Sequence, residues 1–209
     1  MKVVLLHAWP LDERMWEPQL PALEAAGFEP IAPRLYGRGA SIDAWAAQIL
    51  SEVDGPFVAV GASMGGYTAL ALVRRAPERV LGIALVGSRA DADSPERRAS
   101  REAQIAALRA DGIPPELETN VPAEELAVAQ EAIRDRSDST PVLGAFGGPL
   151  FVCVGDGDEI VSVEEARAIA NAALQGSLVV FPGAGHLLSL DQPDRFEAVL
   201  LDFVSQWRT

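Results

Sequence analysis

Residues Gly61-Ala62-Ser63-Met64-Gly65 follow an apolar run, Phe57-Val58-Ala59-Val60, and lead into a helix-like stretch from Gly66 to Ala76. A serine set between glycines at such a junction requires a strand, a sharp turn and a helix in immediate succession. The flanking glycines have no Cβ, so strand and helix can crowd around the serine while its hydroxyl is lifted above the sheet edge. This feature commits the chain to a β-turn-α unit. It makes a serine-dependent acyl-transfer enzyme the leading expectation.

The rest of the chain has the same grain. Short apolar runs at Val3–Leu6, Phe28–Ala32, Phe57–Val60, Val80–Val86, Leu150–Val154 and Leu178–Phe181 are nearly continuous rather than alternating. That pattern predicts parallel strands covered on both faces. Between them lie helical stretches at Met15–Ala26, Ile42–Val53, Met64–Ala76, Val163–Leu174 and Asp194–Trp207. In the last, Phe196, Val199, Leu200, Phe203 and Trp207 share one helical face. Strand-helix alternation implies right-handed crossovers and a doubly wound α/β sheet.

From Asp91 to about Gly148 there is no convincing strand. Two helical patterns, Pro95–Ala110 and about Glu124–Arg136, are followed by a polar loop, Ser137 to Pro141. We read residues 91–148 as a helical cap inserted into a single domain of 209 residues. Such an insertion sits over the strand C-termini, where open α/β sheets bind ligands.

Net charge is −13, which repels phosphates and argues against nucleic acid or an anionic membrane as partner. No apolar run approaches the ~20 residues of a membrane span. The opening Met1–Leu6 reaches His7 and Pro10 at once, too short for a signal core, so a soluble cytoplasmic protein is expected. The lone cysteine, Cys153, lies in a buried-strand pattern and reads as a small core residue.

Serine alone is a poor nucleophile and needs a base. The chain has two histidines. His186 follows the last strand in a glycine-rich loop, Gly183-Ala184-Gly185, able to swing a side chain toward Ser63, and is the expected base. His7 follows the first strand and reads as a brace for its own loop. The acid that fixes the histidine tautomer is expected at Asp158, in Gly155-Asp156-Gly157-Asp158-Glu159. Asp156 is the second choice and Asp91, after the fourth strand, the third. An oxyanion needs donors. The Met64 N–H follows the nucleophile at a helix start. In His7-Ala8-Trp9-Pro10 the proline has no N–H, so Trp9 is the natural second donor; its indole either walls the pocket or simply packs. Leu11, Tyr36 and Leu187 stand beside these loops and are candidate walls of the substrate pocket. The chemistry requires no metal and no organic cofactor.

With these residues in place the chain resembles the α/β-hydrolase superfamily over nearly its whole length. Leu6 to Asp12 is similar to that superfamily's oxyanion loop, with Ala8 where glycine is usual. Gly61 to Gly66 is similar to its elbow, Gly155 to Asp158 to its acid loop and Gly183 to His186 to its histidine loop. The order Ser, Asp, His is also that of the superfamily. Leu11 to Trp16 and Ala76 to Val80 resemble the small carboxylesterase and 3-oxoadipate enol-lactonase-like group. The superfamily's two extra N-terminal strands have no counterpart before Lys2. The resemblance therefore implies a six-stranded, mostly parallel core in the order 2-1-3-4-5-6. Its strand-2 edge is left as a site for protein contact or homodimerisation. Arg34 or Leu35 stands where the family often has aspartate. Arg34 and Arg38 are expected to brace their loop, with binding of a substrate carboxylate as the alternative.

The resemblance implies a serine hydrolase acting on a small ester or lactone through an acyl-enzyme. Two alternatives stay open. One is the same fold acting on a thioester, amide or C–C bond, or as a perhydrolase. The other is a binding or receptor module that keeps the triad without turnover.

Overall fold

The computed structural model describes residues 1–208. Six parallel strands form one sheet: β1 (Lys2–Leu6), β2 (Glu29–Ile31), β3 (Phe57–Ala62), β4 (Val80–Val86), β5 (Leu150–Gly155) and β6 (Gly176–Phe181). The order is β2-β1-β3-β4-β5-β6, as expected. Register runs Leu6 to Gly61 between β1 and β3, and Ala62 to Val86 between β3 and β4, so the ends of the three strands lie level.

Side chains alternate across this layer. Val4, Leu6, Phe57, Ala59, Ile83, Leu85, Val152 and Val154 enter one core. Val3, Leu5, Val58, Val60, Ala84, Val86, Cys153 and Phe181 enter the other. Both faces are apolar because helices cover both.

The helices are α1 (Leu20–Ala25), α2 (Ile42–Glu52), α3 (Met64–Arg75), α4 (Pro95–Asp111), α5 (Ala123–Arg134), α6 (Thr140–Ala145), α7 (Val163–Ala172), α8 (Leu188–Asp191) and α9 (Pro193–Ser205). The first core takes residues from α2 through α7. The second takes Leu23 of α1 and Phe196, Leu200 and Phe203 of α9.

The helix expected over Met15–Ala26 is two pieces, a 3-10 turn at Glu13–Trp16 and α1. Pro18 stands between them, and a proline there removes a helix hydrogen bond. The polar loop expected at 137–141 ends in α6, with Pro141 in its first turn, where proline costs nothing. The insertion between β4 and β5 thus carries three helices, α4, α5 and α6. No helix among the described residues is long and apolar enough to cross a membrane. The outer strand β2 is three residues long with Pro30 in its middle, a poor template for a further strand.

Candidate active site

Ser63, between β3 and α3, has φ 47° and ψ −108° and is the one non-glycine residue at positive φ among those described. Such a conformation costs about 1–3 kcal/mol and persists only where the surroundings enforce it. Here they do. The Ser63 N–H donates to the Val86 carbonyl (2.9 Å), and its own carbonyl accepts from the Gly66 N–H (2.9 Å). A Cβ on Gly61 would run into the Gly65 carbonyl, and one on Gly65 into the Leu6 carbonyl. The start of α3 is therefore pressed against the end of β1, where the His7–Pro10 loop begins.

His186 projects from the loop after β6. Its Nδ1 lies 2.9 Å from Asp158 Oδ2 and 3.0 Å from Oδ1. The Asp158 side chain is fully buried, and its Oδ1 also accepts the N–H groups of Ile160 (2.8 Å) and Val161 (3.0 Å). Burial alone would raise this carboxyl. The His186 bond and the two backbone donors outweigh it and hold Asp158 below the usual carboxylate range. An ionised acid of this kind fixes the proton on Nδ1 and leaves Nε2 as the basic nitrogen. His186 Nε2 is buried and has no partner within the protein, so no hydrogen bond joins it to the Ser63 hydroxyl here.

The competing acids point elsewhere. Asp156 is exposed and accepts the Gly183 N–H (2.7 Å), bracing the histidine loop. Asp91 pairs with Arg97 (2.8 Å).

Two residues with no sequence signal complete the junction. Gly87, at φ 54°, backs onto the dyad: a Cβ there would lie 2.9 Å from the His186 carbonyl and 3.2 Å from both Asp158 Oδ2 and His186 Nδ1. Ser88 is buried and bonds the elbow. The Ser63 backbone is bonded to Val86, and the space beside Gly87 is bounded by His186 and Asp158, so the turn and the His–Asp pair both abut the C-terminal end of β4.

His7 does not face this junction as a base. It is fully buried, its Nε2 accepts the Leu35 N–H (2.9 Å) and its Nδ1 donates to the Ala8 carbonyl (3.1 Å). Burial lowers its pKa to about 4. The Ala8 carbonyl and the Trp9 N–H belong to one planar trans peptide, so they point opposite ways. The Ala8 N–H is itself spent on Met15 Sδ (3.1 Å). Trp9 is half-buried, and its indole N–H donates to the Leu126 carbonyl of α5 (3.2 Å). Met64 opens α3, where the first amides have no partner within the helix.

Tyr36 is buried, packs its ring at a tilt against His7 (4.9 Å between centroids) and donates its hydroxyl to the Leu11 carbonyl (2.8 Å). Leu11 and Leu187 are half-buried and pack toward the second core. A cleft of about 300 Å³, lined by Leu11, Asp12, Met15, Thr119 and Leu190 among others, runs between the first-strand loop and α8. Arg34 is paired with Glu125 of α5 (2.8 Å) and Arg38 with Glu52 (2.7 Å), contacts that suit a bracing role.

A parallel sheet in this order, with a serine on a strained strand-helix turn and a His–Asp pair beyond the last two strands, has the architecture of an α/β hydrolase. The profile of the Alpha/beta hydrolase family matches residues 3–199, and the chain belongs to that family. Over 97% of its length it is 28% identical to a pimeloyl-[acyl-carrier protein] methyl ester esterase of Neisseria meningitidis, 92% of which is covered. It is also similar to a solved thermophilic esterase from Thermogutta terrifontis, at 31% identity and a TM-score of 0.90 over all of this chain and 91% of that one. An enol-lactonase from Burkholderia xenovorans superposes with a TM-score of 0.86 at 23% identity, over 98% of this chain and 91% of that one, a likeness of fold.

Proposed function

We propose that this chain is a serine hydrolase that cleaves a small carboxylic ester or lactone through an acyl-enzyme. Ser63 Oγ attacks the carbonyl carbon while His186 Nε2 takes its proton. The Trp9 and Met64 N–H groups receive the oxyanion. The alcohol then leaves with the proton from His186. Water, deprotonated by the same nitrogen, attacks the acyl carbon and frees Ser63. Helices α4 to α6 act as a cap on this site. The observation that carries the reading is the buried, unpartnered His186 Nε2, held by an ionised Asp158 at the strand end to which the Ser63 turn is tied. In free enzymes the serine-histidine contact is often long and tightens on binding substrate.

The names of the relatives raise a second reading, an acyl ester carried on a protein arm. A phosphopantetheine arm brings a phosphate, which calls for uncommitted cations around the site. All six arginines of residues 91–148 are paired with carboxylates: Arg97, Arg98, Arg101, Arg109, Arg134 and Arg136. A free small ester suits that surface better.

The test is labelling by a fluorophosphonate probe, followed by turnover of p-nitrophenyl esters of graded chain length and of a few lactones. Stoichiometric labelling that disappears in Ser63→Ala, with turnover of at least one short ester or lactone, is expected. Labelling that persists in Ser63→Ala refutes the nucleophile. Labelling without turnover favours a receptor.

A further inference from the structure

We propose that the segment Thr119–Leu126 is the outer half of the scaffold that aims the Trp9 N–H, with Thr119 as a positioning residue. The inference rests on the serine-hydrolase reading above. It begins with what holds the Trp9–Pro10 loop. On the sheet side, His7 and Met15 grip Ala8. On the other side, both following residues are held by the insertion between β4 and β5. The Trp9 indole N–H donates to the Leu126 carbonyl (3.2 Å). The Thr119 hydroxyl donates to the Pro10 carbonyl (2.8 Å).

The Thr119 hydroxyl has no freedom to choose another acceptor at no cost. Its oxygen already accepts the Val121 N–H (3.1 Å), which directs its proton toward Pro10. Val121 and Leu126 are buried in the first core, so both anchors stand on packed structure. Glu125, between them in sequence, reaches Arg34 on the neighbouring loop (2.8 Å). The loop is thus clamped at Ala8 from the sheet and at Trp9 and Pro10 from the cap. An oxyanion donor works because it is already aimed when charge develops. Releasing one side of the clamp lets the Ala8–Trp9 peptide rock, which weakens the bond to the transition state more than the bond to the ground-state ester.

The experiment compares Thr119→Val, which keeps the shape and loses the hydroxyl, with Thr119→Ser, which keeps the hydroxyl. Thr119→Val is expected to lower kcat about tenfold, a fraction of the roughly 100- to 1,000-fold for losing a donor outright, with KM changed less than about twofold. Affinity for a trifluoromethyl ketone, which binds as a tetrahedral adduct, should fall in parallel with kcat. Thr119→Ser should restore both. Amide hydrogen exchange of the peptide spanning residues 7–12 should rise in Thr119→Val and not in Thr119→Ser. Trp9→Phe, which loses the indole donor and keeps the main-chain N–H, should repeat the Thr119→Val pattern. All variants are read well below their own melting temperatures.

Unchanged exchange at residues 7–12 in Thr119→Val overturns the clamp, whether or not Ser63 is the nucleophile. Raised exchange with kcat and ketone affinity at wild-type level overturns its role in aiming the donor. A wild-type protein labelled in a way that Ser63→Ala leaves intact refutes the hydrolase reading instead.

Discussion

The Ser88 hydroxyl donates to the main-chain carbonyl of Ser63 at 2.9 Å, and a Cβ on Gly66 would collide with that same hydroxyl. The buried Ser88 side chain therefore fills the space that Gly66 leaves, and it props the turn from below. Ser88→Ala removes this donor from a carbonyl that keeps the Gly66 N–H. A stability loss of about 1 kcal/mol is expected, with slower fluorophosphonate labelling of Ser63. Urea unfolding and labelling rates measure both. Wild-type labelling would mean that the turn holds its shape without the prop.

Asp158→Asn should reduce kcat on the order of 10,000-fold, because the amide can donate to Nδ1 and so favour the wrong imidazole tautomer. Asp156→Asn should be close to wild type, since it keeps an oxygen for the Gly183 N–H. Steady-state kinetics on one ester rank the two. The opposite ranking would assign the acid to Asp156.

Gly87 leaves no room for a side chain beside the dyad. Gly87→Ala places a methyl 2.9 Å from the His186 carbonyl at φ 54°, so the histidine loop must move. The backbone strain costs about 1 kcal/mol or more, but the loss of kcat should be the larger effect, at least tenfold. A variant with full kcat would show that His186 tolerates displacement.

His7 gives a pH signature. Its folded pKa is about 4 against an ordinary 6.5, so between these values the unfolded chain binds a proton that the folded chain refuses. The stability this group contributes is complete above pH 6.5 and declines as pH falls toward 4, by up to about 3 kcal/mol. Below pH 4 this group adds no further loss. His7→Gln removes that proton uptake while keeping an oxygen able to accept the Leu35 N–H. The difference between urea midpoints at pH 7.5 and 5 should shrink in the variant. An equal difference would place the acid sensitivity elsewhere.

The strands are readable because parallel pairing buries both faces and leaves unbroken apolar runs; Leu150–Gly155, buried throughout, is an example. Element ends are harder. Pro18 divides one expected helix, whereas Pro141 sits in the first turn of a helix that starts in what reads as loop, because a proline's effect depends on whether its missing N–H would have had a partner. In the site, glycine and histidine spacing marks Ser63 and His186. Position in the loop after β5 ranks Asp158 ahead of Asp156 and Asp91, and in the fold it is the Asp158 carboxylate that meets His186 Nδ1. Ser88 and Thr119 are lone hydroxyls with no spacing to mark them. Thr119 meets Pro10 from 109 positions away, a contact that exists only in three dimensions.

The inserted helices share one continuous apolar cluster with α2, α3 and the sheet: Ile105, Leu126, Ile133 and Phe146 belong with Leu70, Trp45 and Leu6. They are not a detachable module. Grafting this segment onto a sister enzyme, or trimming it to widen substrate range, would tear the interior of the host, so specificity here is better re-engineered one side chain at a time.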